Sequence, residues 1–264
     1  MSKNLFQGYK PKFFNDKNDE FQQILNQTYD YIDLPTLHLH RLRINLFVEI
    51  LKKLELNKVI KSYEKALDIG CNCGIYSKLL SDFGFKNVLG IDIDRPLLEI
   101  AKKKNSVSEP SKSLDFQYQN AEELNDNEKV DFILCTEVIE HTQNPDKVIT
   151  HIHNKLNKGG VAVITLPNAN SYPYFLTKWS YILRGKKIQG ELYDHLQFPS
   201  SRSKKLFDFP DTKLIHTTGT NLFYWYFLHK IPGFKYLNKL NYTLGKISFL
   251  KNFNQFYFIV IQKN

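Results

Sequence analysis

The period of the apolar positions changes along the chain. In TLHLHRLRINLFVEILKKLEL, Leu39, Leu42, Leu46, Ile50 and Leu54 recur every three or four residues, the spacing of one helical face. Arg41, Arg43, Lys52 and Lys53 fall off that face, and the helix is expected to pack at the edge of the main domain. From Glu64 onward, short apolar runs alternate with helical stretches. KALDIG reads as a strand, and GIYSKLLSDFG as a helix through Ile75, Leu79, Leu80 and Phe83. NVLGID is a second strand, followed by DRPLLEIAKKK, a helix with Asp94 as N-cap and Pro96 in its first turn. LDFQYQ alternates like a strand, and VDFILCT is the unbroken apolar run of a central parallel strand. NPDKVITHIHNKLNKGG predicts a helix capped by Asn144, with Pro145 first and Gly159–Gly160 as its stop. VAVITLP is the fifth strand.

This repetition of strand and helix predicts an α/β fold with a doubly wound parallel sheet. After Pro167 the regularity lapses. Residues 168–199 are too long for a plain strand-to-helix loop and read as a functional insertion. PSSRSKKLFDF then reads as a short helix and TKLIHTTGT as a strand; residues 221–253 are aromatic and basic, and QFYFIVIQ is a strong final strand. The expected division is an N-terminal cap and helix over 1–58 and the main domain over 59–264, with 168–199 and 221–253 as insertions on the substrate or membrane side.

Hydrophobic residues make up 42% of the 264, enough for a substantial core. Three cysteines cannot form a fully paired disulfide framework. The stretch MSKNLFQGYKPKFF lacks the apolar run of a signal peptide. Both features lead to the expectation of a cytoplasmic protein. NLFYWYFL is far too short for a membrane span. The net charge of +9 is spread without a dense basic block, so nucleic acid is not the expected partner. In the insertions, Tyr172, Tyr174, Trp179, Tyr181, Tyr193, Phe223, Tyr224, Trp225 and Tyr226 stand among lysines. Such a mixture suits an aromatic acceptor pocket, a small satellite core, or a peripheral contact at the inner face of a membrane.

Two stretches carry candidate chemistry. LDIGCNCG holds Asp68, Gly70, Cys71, Asn72 and Gly74 where the first strand turns into a helix. A dinucleotide would need G-x-G-x-x-G there, whereas a carboxylate such as Asp68 suits an ammonium or sulfonium group better than a pyrophosphate. Asp92 lies 24 residues further on, at the end of the second strand, where a carboxylate accepts hydrogen bonds from ribose hydroxyls. The Cys-x-Cys pair is not a complete zinc site, because Cys135 raises the thiols to only three. In TEVIEH, Glu137, Glu140 and His141 share one side of a helical turn and could hold a divalent ion. Without a metal, Glu137 would shape a pocket and His141 face the substrate. His141 or His195, in YDHLQF, suits a general base for a hydroxyl acceptor.

LDIGCNCG, VLGIDID, QNAEEL, VDFILCTEVIEHTQNP and KGGVAVITLPN follow one another over about residues 60–168 in an order that resembles class I S-adenosylmethionine-dependent methyltransferases. Within them the chain is similar to the type 11/23 group and to the ubiquinone-biosynthesis O-methyltransferases, whose E-x-x-E-H element TEVIEH matches. The resemblance implies a Rossmann-like, mostly parallel seven-stranded sheet with helices on both faces, an N-terminal helical cap and an insertion after the fifth strand. QFYFIVIQ would be its antiparallel strand. It implies S-adenosylmethionine as cofactor, with Gly70, Asn72 and Gly74 forming the glycine-rich turn. Asp68 would orient the methionine end, Asp92 the ribose, Ala121 and Glu122 would lie along the adenine, and Thr136 would line the floor. Cys71, Ile93 and Asn120 complete the cofactor-binding set.

The middle glycine of the family's turn is Asn72 here, a residue that tolerates positive φ. Its side chain is expected to narrow the room near the cofactor carboxylate or to donate to it. Glu137, Glu140 and His141 would be ligands for Mg²⁺, with His195 a further histidine, as in metal-dependent small-RNA 3′-terminal methyltransferases. DHLQFPSSRSKKLFDF also resembles the segment after the fifth strand, but FPDTKL departs from the family pattern. The function implied is methyl transfer to a hydroxyl of a small-molecule, glycan or lipid-linked acceptor. An RNA methyltransferase or a non-catalytic cofactor-binding protein are the alternatives.

Overall fold

A computed structural model of the protein describes residues 34–104, 112–125, 127–223 and 234–264. Only the part of the N-terminal cap from Leu34 onward falls within these residues, and Tyr224, Trp225 and Tyr226 lie outside them. The strands are β1 (Lys65–Ile69), β2 (Asn87–Asp92), β3 (Ser113–Tyr118), β4 (Val130–Thr136), β5 (Leu156–Pro167), β6 (Thr212–Thr220) and β7 (Phe256–Lys263). The helices are α1 (Leu34–Leu56), α2 (Ile75–Phe83), α3 (Arg95–Lys104), α4 (Pro145–Lys155), α5 (Tyr172–Leu183), α6 (Glu191–His195), α7 (Ser200–Lys205) and α8 (Phe234–Gly245). All seven strands form one sheet in the order β3-β2-β1-β4-β5-β7-β6. β1 to β5 are parallel, and β7 runs antiparallel between β5 and β6. This is the doubly wound, Rossmann-like arrangement expected, with QFYFIVIQ as the antiparallel strand.

Alternate residues of the central strands serve two cores. Ala66, Phe132, Leu134, Val161, Val163, Phe258 and Val260 pack on one face with α1 and α2. Leu67, Ile69, Ile133, Cys135, Ala162, Ile164 and Ile259 pack on the other with α4, Phe198 and Phe207. Burial on both faces is why VDFILCT reads as an unbroken apolar run rather than an alternating one.

The helix caps follow the sequence closely. The Leu97 N–H donates to Asp94 Oδ1 (3.0 Å) and the Lys147 N–H to Asn144 Oδ1 (3.1 Å). Two expectations need correction. α4 stops at Lys155, four residues before the glycine pair, because LNKGG already belongs to β5. α1 reaches inward from β6 across the sheet face instead of lying only at its edge. Phe47, Val48 and Leu51 are fully buried there, and Arg41, expected on the outer side, is 2% exposed. Among the described residues no helix is long and apolar enough to cross a membrane.

Candidate active site

The site is built at the carboxyl ends of β1, β2 and β4, beside the point where strand order reverses between β1 and β4. The chain leaves β1 through three residues of positive φ, Gly70 (71°), Asn72 (51°) and Gly74 (81°). A Cβ on Gly70 would stand 2.2 Å from Val138 Cγ2, so the close approach of this turn to the segment after β4 requires glycine. Asn72 adopts the left-handed conformation expected of it. Its side-chain Oδ1 accepts the Cys73 N–H at 2.8 Å and braces the turn, and the residue forms part of the cavity wall.

The rest of the turn is braced from β2. The Gly70 and Cys71 N–H groups donate to the Ile91 carbonyl (2.8 and 2.9 Å), and the Asn72 N–H donates to Asp92 Oδ2 (2.8 Å). Asp92 Oδ1 accepts the Asp94 N–H at 2.9 Å. Each carboxylate oxygen thus takes one backbone bond, and an ionised carboxylate keeps lone pairs for two vicinal hydroxyls.

Around this turn lies a cavity of about 330 Å³. Gly70, Cys71, Asn72 and Cys73 form one wall, Asp92 and Ile93 the next, and Asn120 and Ala121 a third. Thr136, Glu137, Val138 and His141 close the far side. Asn120 Oδ1 accepts the Glu122 N–H (2.9 Å), which sets the turn of 3₁₀ helix at Ala121–Glu123.

Several residues read from the sequence do not line the cavity. Asp68 is completely buried, with Oδ2 accepting the Ser77 hydroxyl at 2.6 Å and Oδ1 unpartnered. Burial raises its carboxyl to about 7, against the pull of the Ser77 bond. Its side chain ties β1 to α2. Gly74 is the N-cap of α2. Glu122 turns away because its Oε1 accepts the Gln143 N–H (2.7 Å), tying the adjoining loops. Cys135 is sealed in the core beneath, paired in register with Ile69.

Helix α1, expected as part of the cap on the substrate side, supplies two residues that the sequence did not single out for the site. His40 and Arg43 line the cavity, as does Tyr76 of α2. The Arg43 guanidinium stands 4.0 Å from the Glu137 carboxylate and 4.6 Å from the centre of the Phe256 ring. It donates to His40 Nδ1 at 2.7 Å, so that nitrogen is the acceptor and any imidazole proton sits on Nε2. Burial, and then Arg43, hold His40 down at about 3, and it is neutral. Burial pushes the Tyr76 hydroxyl up to about 12. Burial also raises Glu137, with Arg43 and a bond from Thr165 opposing it. Glu137 itself sits at φ 53°, its N–H held by Thr165 O and Oγ1. The only sequence signal for this wall was an arginine and a histidine at intervals of three inside an apolar helix.

The expected ligand trio is regrouped. Glu137 turns toward Arg43, while Glu140, His141 and His195 bring one ligand atom each to within 4.8 Å of one another. His195 arrives from α6, its Nδ1 paired with the Tyr174 hydroxyl at 2.8 Å and its ring 5.4 Å from that of His141. Two imidazoles and a carboxylate fit a divalent cation, and the nitrogen donors add affinity for ions such as Zn²⁺.

A methyltransferase-domain family model, Methyltransf_23, matches residues 39–206. The chain belongs to this family. The match takes in most of α1 with His40 and Arg43, and ends at the close of α7. The chain is 32% identical over 141 residues to a ubiquinone biosynthesis O-methyltransferase of Pelagibacter ubique, 52% of this chain and 56% of that one. It is 34% identical over 119 residues to the enzyme of the same name from Glaesserella parasuis, 43% and 49% of the two chains. The chain thus spans about half the length of the curated relatives it matches. Among solved structures it superposes on the magnesium protoporphyrin IX methyltransferase of Synechocystis PCC 6803 with bound SAM. The TM-score is 0.58 at 13% identity, over 100% of this chain and 98% of that one. The PH0226 protein of Pyrococcus horikoshii gives a TM-score of 0.52 at 15% identity, over 99% of both chains. At such identities the likeness is one of fold.

Proposed function

We propose that this chain is an S-adenosylmethionine-dependent methyltransferase acting on a hydroxyl of a small-molecule acceptor. The observation that carries the reading is a single cavity in which the Gly70–Asn72 turn and Asp92 face Glu137 and His141. One side suits a nucleoside with free ribose hydroxyls and the other offers proton-accepting groups. The O-methyltransferase relatives and the SAM-bound fold neighbour support the same reading.

S-adenosylmethionine, when bound, supplies a methyl group already activated by its sulfonium centre. Asp92 would hold the ribose end through its spare lone pairs, and Asn120 and Ala121 would wall the base. Arg43 is the fixed cation of the site, suited to a carboxylate on the cofactor or the acceptor. The remaining work is to hold the acceptor oxygen in line, exclude water and take the hydroxyl proton. His141 is the base at the rim, and the Tyr174–His195 pair stands behind it to pass the proton on. Alternatively, a divalent ion on Glu140, His141 and His195 would lower the pKa of the acceptor hydroxyl directly.

Isothermal titration of the protein with S-adenosylmethionine and with its demethylated product tests the reading. Binding of both is expected, and no heat from folded protein would overturn it. Methyl transfer to catechol-type and other hydroxylic acceptors, with and without chelator, separates the two proton routes. Loss with chelator and recovery with added divalent ion marks the metal route, and indifference marks the histidine route.

A further inference from the structure

Helix α5 is amphipathic in reverse. Tyr172, Phe175, Leu176, Trp179, Ile182 and Leu183 fall at i, i+3, i+4, i+7, i+10 and i+11, which is one helical face, and all six are exposed. Phe175 is 54% exposed, Trp179 48% and Leu183 81%. The inward side is held by Tyr174 and its bond to His195. Helix α8 shows the same inversion, with Tyr236, Leu237 and Leu240 outside and Asn238 and Asn241 buried. Phe249, beyond it, is 71% exposed.

The two helices belong to one end of the molecule. The Tyr172 and Phe223 rings meet edge to face at 5.8 Å, and the Phe223 N–H donates to Asn241 Oδ1 of α8 at 2.9 Å. α5 follows the carboxyl end of β5, and α8 follows that of β6, which runs parallel to β5 because both oppose β7. That is the end of the sheet where the cavity lies.

Within the two stretches that carry these helices the charge has one sign. Between Asn168 and Gly190 the chain carries Lys178, Arg184, Lys186 and Lys187, all exposed, and no carboxylate. From Thr212 to Asn264 there is no Asp or Glu at all, while Lys239 is exposed on α8 and Lys246 and Lys251 follow it. Lys246 is partly neutralised by Glu49 at 2.9 Å.

We propose that α5 and α8 dock this protein onto an anionic lipid bilayer. Aromatic and aliphatic side chains would enter the headgroup region while the flanking lysines and arginine meet anionic lipid. A second copy of the chain is a poorer occupant, since it would bring the same cations against their like. Docking in this orientation turns the cavity end toward the bilayer, so that a lipid-borne acceptor hydroxyl reaches His141. That last consequence rests on the methyl-transfer reading; the docking does not.

Flotation of the full chain with vesicles of phosphatidylglycerol and phosphatidylcholine, against phosphatidylcholine alone, tests the proposal. Binding at least about tenfold stronger to the anionic vesicles is expected. The exposed pair F175S/W179S should lower it about tenfold or more with unchanged thermal midpoint and S-adenosylmethionine affinity. Y236S/L240S should lower it independently. Absence of binding to anionic vesicles, or equal binding by F175S/W179S, overturns the proposal. So does a dimer in sedimentation that F175S/W179S disperses, which would place a second copy on the stripe. Vesicle binding without any S-adenosylmethionine binding would instead sink the methyl-transfer reading and leave the docking intact.

Discussion

The turn after β1 and the segment after β5 leave the same end of the sheet and are built in opposite ways. The first crosses to its helix in five residues, 70–74, and its backbone and side-chain bonds brace it from β2 and from within. The second spends more than thirty residues before the next strand and turns an apolar helix face outward. A cofactor that never varies rewards a backbone held in one conformation. On the proposed function, an acceptor would be matched by side chains on added elements that the sheet does not constrain.

The sharpest test of this contrast is to separate chemistry from cofactor binding. His141→Ala should lower kcat by about 100- to 10,000-fold, the usual worth of a general base, with S-adenosylmethionine affinity unchanged in titration calorimetry. Equal losses in both would mean that His141 belongs to the cofactor wall. Asp92→Ala should do the reverse, weakening cofactor binding by about 100-fold or more through the loss of charge-assisted bonds. F175S/W179S, in the other region, should leave that affinity alone.

Asp68 tests how much the brace costs. Its carboxyl ionises near 7 in the fold, against 3.8 ordinarily, because it is buried. Between those values the folded chain keeps a proton that the unfolded chain has released, so its contribution to stability falls as pH rises from about 4 to about 7 and is level above that. Asp68→Asn keeps an acceptor for Ser77 and should flatten this slope. The gain at pH 8 relative to pH 4 is on the order of a few kcal/mol in urea unfolding. An unchanged slope would mean that Asp68 is ionised in the fold.

Two glycines of positive φ compare the regions directly. Gly70→Ala meets Val138 and should cost about 2–3 kcal/mol of stability along with cofactor affinity. Gly185→Ala (φ 60°), past the end of α5, has nothing within 4 Å of the new Cβ and should cost only about 1 kcal/mol. Similar thermal shifts for the two would remove the distinction between a packed turn and a loose one. The smallest effect is expected at the thiols. Burial raises Cys71 and Cys135, so alkylation of the native protein should be slow, and cofactor should slow it further at Cys71. Equal labelling rates with and without cofactor would place Cys71 away from the ligand.

The cofactor side was largely legible in the sequence because its signals are local. Asp94 and Asn144 announce helix starts through bonds to residues three positions away, and Asn72 announces a left-handed turn through its own backbone preference. The glycine pair misled for an equally local reason. Gly159–Gly160 looks like a helix stop, but β5 begins before it because Leu156 is captured by the sheet, paired in register with Val130. The regrouping of Glu140 and His141 with His195, away from Glu137, was not legible in TEVIEH alone. It depends on which face of the segment α6 covers, and α6 is fifty residues away.

By itself the sequence determined the alternation of strands and helices, the turn chemistry at Gly70, Asn72 and Gly74, and the carboxylate at the end of β2, since each depends on residues a few positions apart. Tertiary structure alone decided that Asp68 is a buried brace, that α1 places Arg43 and His40 in the cavity wall, and that the apolar face of α5 points outward. Those outcomes depend on contacts between elements far apart in the chain. The hydrophobic period of a helix specifies that it has a face, but not which way the rest of the molecule will turn it.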